Sequence, residues 1–128
     1  MRNKFLNTGQ NGYHPFSKLK VCLSGLRYAV LYDFSVAYKV ILSVLVLAGC
    51  FYFRQLVDFI SVFAATGLML ITEMFNTTIE ALCDFVETQQ NEKIRVIKDI
   101  AAAATGISIL IWAVVMVSEL SHLWSFVV

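Results

Sequence analysis

The chain has 128 residues, a formal net charge of +1, 59% apolar residues and only 15% charged ones. That is one domain's worth of chain, with too little polar surface for an ordinary soluble globular domain and too little positive charge for a nucleic-acid binder. The three cysteines, Cys22, Cys50 and Cys83, have neither metal-ligand spacing nor the even count of a disulfide framework, and read as small apolar core residues.

Residues 1–15 are polar and rich in turn formers, with no apolar stretch close behind the basic residues, so they read as an N-terminal arm rather than a signal peptide. His14 precedes the only proline, Pro15, which marks the end of the arm. Residues 16–33 follow with Leu19, Cys22, Leu23, Leu26 and Val30 at helical spacing and Lys18, Lys20, Ser24, Arg27 and Tyr28 mostly elsewhere around the helix. This pattern predicts an amphipathic helix lying in the membrane interface.

Three membrane spans come next, over about 36–54, 57–86 and 99–120. The last contains nineteen residues without a charge, Ile100 to Ser118, a good transmembrane length. The first two are built on shorter apolar runs, 40–53 and 59–72. Fourteen helical residues reach about 21 Å, short of a hydrocarbon core of about 30 Å, so each span must take in a flanking charge. Lys39 is expected to snorkel out along its stem. Glu73 has no such reach and falls at or just inside the membrane boundary. Basic residues concentrate before the first span and in the loop after the second, which places both in the cytoplasm. Trp112, Trp124 and Tyr52 are candidate interface anchors.

The second span carries a polar stripe as it leaves the bilayer. Glu73, Asn76, Thr77, Glu80, Asp84 and Glu87 stand at i, i+3, i+4, i+7, i+11 and i+14, one face of a helix. A helix emerging into water needs a polar side, which is reason enough for Asp84 and Glu87. Glu73 and Glu80 lie nearer hydrocarbon, where an ionisable residue is expensive. Carboxylate oxygens suit Mg²⁺ held together with substrate phosphates, and a further carboxylate can take a proton from an attacking hydroxyl. "RVIKDIAAA" adds Lys98 beside Asp99. These parts suit a phosphoryl transferase without the common nucleotide motifs, GxxxxGK[ST] and GxGxxG being missing. A small channel or proton-coupled transporter relaying protons through Glu73 and Glu80 suits the same stripe.

"EMFNTTIEALCD", followed by "KD" with its lysine fourteen residues after Asp84, resembles the signature of the prokaryotic diacylglycerol kinase family, which includes the undecaprenol kinases. "GLRYAVLYD" resembles that family's motif at the end of its surface helix. The resemblance runs from about Lys18 to Val117. It implies an all-α integral membrane homotrimer with three transmembrane helices and an N-terminal surface helix, in the bacterial cytoplasmic membrane. It also implies an enzyme that phosphorylates a membrane lipid alcohol, diacylglycerol or undecaprenol, with ATP and Mg²⁺. Carried over by position, Glu73 resembles the catalytic base, and Glu80 and Asp33 the metal-binding carboxylates. Asn76, Lys98 and Asp99 resemble the ATP-binding residues, and Arg27 a lipid contact. Three departures stand out. Asp33 replaces a longer Glu, Thr78 replaces Ala, and the loop "ETQQNEK" lacks a Tyr-His pair, so a catalytically degenerate family member is a further reading.

Overall fold

The computed structural model describes residues 15–53 and 55–128; the N-terminal arm before Pro15, and Arg54, lie outside them. The chain divides after Ala37 into two compact units.

In the first unit, helix α1 spans Pro15–Tyr32. Proline at the first helical position loses nothing, because that N–H has no intrahelical partner. Asp33 then breaks the helix and caps the next one. Its Oδ1 accepts from the Ser35 N–H at 2.8 Å, and its carbonyl accepts from the Ala37 N–H at 3.0 Å. No residue of α1 is buried, and Phe16, Leu19, Leu23 and Leu31 are all exposed. Cys22 is exposed as well, unlike Cys50 and Cys83, so the reading of all three cysteines as core residues fails at Cys22.

The second unit holds most of α2 (Phe34–Tyr52), α3 (Leu56–Val86) and α4 (Glu92–Val127). All three are long and apolar enough to cross a membrane, which makes the chain an all-α membrane protein. At 1.5 Å per residue, α3 and α4 reach about 46 and 54 Å, longer than the hydrocarbon core, so polar turns project beyond it. The start of α4 is set by Asn91, whose Oδ1 accepts from the Lys93 N–H at 3.0 Å. The helix therefore begins at Glu92, well before the apolar run.

Buried positions recur every three or four residues on each helix: Lys39, Ser43, Val46 and Cys50 on α2; Val62, Ala65, Met69 and Glu73 on α3; Thr105, Ser108, Trp112, Met116 and Glu119 on α4. Val46, Cys50, Val62, Ala65, Met69, Trp112 and Met116 form one apolar cluster. The rest of the interior is unusually polar. Trp112 Nε1 donates to Ser43 Oγ at 2.8 Å, Thr105 Oγ1 donates to the Thr72 carbonyl at 3.2 Å, and the Thr72 and Ser108 hydroxyls bond to each other. Meanwhile Ile41, Leu45, Phe63, Ile71, Leu110 and Val114 face outward. Polar groups inside and large aliphatics outside is the arrangement lipid demands, because hydrocarbon gives no reason to hide a leucine and every reason to pair a hydroxyl. Trp112 is thus a core residue rather than an interface anchor; Trp124 remains exposed.

Candidate functional site

α3 strings the polar stripe along its axis, and the neighbouring helices decide what each member meets. Glu73 is the innermost. Its Oε1 accepts from Lys39 Nζ at 2.6 Å, and both side chains are more than nine-tenths buried. Lys39 does not snorkel outward as its long stem suggested. A carboxylate at the same depth on the facing helix is within reach, and pairing two charges removes the cost of exposing either to hydrocarbon.

One turn further along, Asn76 Nδ2 donates to Glu80 Oε1 at 2.9 Å, the i, i+4 contact that helical spacing permits. The other end of the amide has no such partner. Asn76 Oδ1 is buried without a hydrogen bond among the described residues. Glu80 is half-buried and, seven residues beyond Glu73, lies about 10 Å further along the axis. The two carboxylates therefore do not converge. The hydroxyl of Thr78, where the family motif has Ala, is absorbed locally by donating to the Met74 carbonyl at 2.7 Å.

Beyond Glu80, the end of α3, residues 87–91 and the first turns of α4 enclose an open recess of about 720 Å³, lined by polar groups that include Asp84, Gln89, Asn91, Arg95, Lys98 and Asp99. Lys98 Nζ reaches across to Asp84 Oδ1 at 2.9 Å. Lys98 precedes the apolar run of α4, and the hydrogen bond to Asp84, with smaller help from the charges of Asp84 and Glu80, holds its pKa above the ordinary lysine range. Arg95 pairs with Glu92 on the exposed side of α4. The loop itself is stiffened by short-range bonds, among them the Gln89 N–H to Glu87 Oε1 at 3.1 Å. Its two cations, Arg95 and Lys98, are each paired with a carboxylate and stand against three, Asp84, Glu92 and Asp99, so a phosphorylated solute would enter it together with a divalent cation or by displacing a carboxylate from one of those pairs.

The structure thus brings Asn76 onto Glu80 and gathers Lys98 and Asp99 at one recess, while Glu73 stands two turns inward with Lys39. Asp33 and Arg27 belong to the first unit. One carboxylate oxygen of Asp33 is engaged in capping α2. Arg27 is exposed on α1, where it lines a shallow groove with Ser24, Tyr28 and Tyr32, the two tyrosine rings stacked at 5.3 Å. Sequence reasoning missed Lys39 as the partner of Glu73 and Asp84 as the partner of Lys98. The first had a signal: two adjacent short apolar runs each end in a charge of opposite sign, at the ends that meet.

The sequence profile of the prokaryotic diacylglycerol kinase family matches residues 20–120. No curated protein and no solved structure matches the chain.

Proposed function

The chain belongs to the prokaryotic diacylglycerol kinase family and is a membrane lipid kinase of that kind; we propose that it moves the γ-phosphate of ATP onto the hydroxyl of a lipid alcohol, diacylglycerol or undecaprenol. In this reading it works as a homotrimer in the bacterial cytoplasmic membrane, with its N-terminus in the cytoplasm and α1 lying in the interface. The observation that carries the reading is the layout of α3. One helix bears a buried carboxylate and, about three turns out, the edge of a polar recess open to water. A kinase acting between a bilayer substrate and a soluble one needs that separation.

The roles follow from position. Glu73 accepts the proton of the lipid hydroxyl, while Lys39 keeps its charge from standing alone in hydrocarbon. Lys98 and Asp99 stand at the recess for the nucleotide, where a lysine attracts phosphate by charge. Arg27, on the groove of α1, contacts lipid. The residues present fit a magnesium ion. Glu80 is a hard oxygen donor, and Asn76 Oδ1, buried with no hydrogen-bond partner among the described residues, marks a place where a ligand is still to be met. Glu80 would hold Mg²⁺, which would neutralise phosphate charge, and the family resemblance adds Asp33 as a second carboxylate ligand. Asn76 fixes the Glu80 carboxylate by its amide and offers Oδ1 to what binds beside it. The channel reading draws no support from this geometry, because Glu73 is bonded to Lys39 and Glu80 to Asn76 rather than to each other.

The test is direct. Purified protein in mixed micelles is incubated with MgATP and, separately, diacylglycerol, undecaprenol and a short-chain alcohol. Phosphorylated lipid is expected with at least one long-chain substrate. Absence of product with every lipid would overturn the kinase assignment for this chain.

A further inference from the structure

The end of the α3–α4 pair opposite the recess carries a second constellation that the kinase reading does not use. Asp58 lies in the first turn of α3. Glu119 and His122 lie near the end of α4 at i and i+3, so they share a face. His122 Nδ1 and Asp58 Oδ2 are 2.6 Å apart. A ligand atom from each of the three residues falls within 4.8 Å of the other two.

Two carboxylates and an imidazole at a membrane edge have a mundane explanation in a His–Asp contact that pins α4 to α3. Glu119 does not fit it. Its side chain is nine-tenths buried, and Oε2 is shielded from solvent with no hydrogen-bond partner among the described residues. The Glu119 carboxyl is also within hydrogen-bonding reach of Asp58, so two acidic groups face each other out of water, an arrangement that a bound cation relieves and that otherwise needs a shared proton. One oxygen of the same Glu119 carboxylate stands among the group of ligand atoms that His122 and Asp58 provide.

We propose that Asp58, Glu119 and His122 form a binding site for a divalent transition-metal ion of the zinc class, separate from the kinase site and at the other end of the helices. The donor set selects the ion. One imidazole with two carboxylates suits zinc and its first-row neighbours, whereas magnesium prefers oxygen alone. Two carboxylates and a neutral imidazole also balance a doubly charged ion, which matters next to hydrocarbon. Zinc bonds of about 2.0–2.2 Å in a tetrahedron put ligand atoms roughly 3.4 Å apart. Loading would therefore widen the 2.6 Å His122–Asp58 contact, while the three ligand atoms already lie within 4.8 Å of one another. His122 is about half exposed, leaving an entry path and a fourth position for water. Bound there, the ion ties the start of α3 to the end of α4.

The test uses the tag-free full chain in detergent with Mg²⁺ in excess, so that oxygen-only sites are filled. Zn²⁺ is titrated calorimetrically, and Co²⁺ is followed by its visible absorption. The expected result is one equivalent per chain, with the intense bands of a low-coordinate cobalt site. His122→Ala and Glu119→Gln should each weaken that equivalent by at least about tenfold, while Glu80→Gln leaves it in place. His122 is half exposed, so its replacement removes the ligand without emptying the core. The proposal is overturned if wild type binds no zinc equivalent, if both variants bind as wild type does, or if the equivalent disappears in Glu80→Gln instead.

Discussion

Two carboxylates of α3 each pair with a lysine of a neighbouring helix, and the two pairs share a chemistry and differ in everything else. Lys39 and Glu73 meet at 2.6 Å with side chains 3% and 9% exposed; Lys98 and Asp84 meet at 2.9 Å with side chains 34% and 68% exposed. The inner pair has lost its water, so each charge depends on the other and neither can leave without a large penalty. The outer pair keeps its water, contributes little to stability, and can exchange its partner for an incoming phosphate at small cost. Burial thus divides one motif into a part that holds the fold around a reactive carboxylate and a part that remains free to bind.

The largest effect is expected at Glu73. Glu73→Gln should lower kinase turnover by about 10²–10⁴, the contribution of a general base. It also strands Lys39, so the single variant confounds chemistry with folding. The double variant Lys39→Met/Glu73→Gln should recover thermal stability in detergent while turnover stays lost. Turnover returning with stability would remove Glu73 from the chemistry.

Next comes Lys39→Met alone. It leaves Glu73 ionised in a dry environment, and removing one member of a buried pair costs about 3–5 kcal/mol. An unfolding midpoint lower than that of the double variant is the expected reading of a thermal melt. Equal midpoints for the single and double variants would mean that the two charges are not coupled.

Lys98→Ala should raise the Michaelis constant for MgATP roughly tenfold, as expected for one lost charge-assisted contact, with the lipid constant and the unfolding midpoint unchanged. Separate titration of each substrate checks it. An effect on lipid alone would move Lys98 to the other half of the site.

The smallest change is expected for Asp33→Glu, which restores the residue usual in the family. Turnover should be kept or raised across a Mg²⁺ and Mn²⁺ titration. Because Asp33 also caps α2 through the Ser35 N–H, the variant should lose up to about 1 kcal/mol of stability. Lost turnover with unchanged metal dependence would mean that the capping role is the one that matters.

The sequence by itself determined the helices and the face of α3 that carries chemistry. One uncharged run of transmembrane length and two shorter apolar runs completed by flanking charges leave the backbone no choice but to bond internally. A period of 3.6 puts Glu73, Asn76 and Glu80 on one side, and it makes Asn76 and Glu80 partners without help from any other element. Asn91, too, marks a helix start by its chemistry alone. What the sequence left open was how far each helix is rotated toward its neighbours. That rotation is set by the packing of Val46, Met69, Trp112 and Met116 into one cluster. It decides that Lys39 finds a carboxylate 34 residues away instead of water, and that the Trp112 ring nitrogen finds Ser43 rather than the interface. It also brings His122 to Asp58 across 64 residues, a cluster no spacing rule could assemble. Snorkelling and pairing both relieve a lysine in hydrocarbon. Only the position of the opposing carboxylate, a fact about three helices at once, chooses between them.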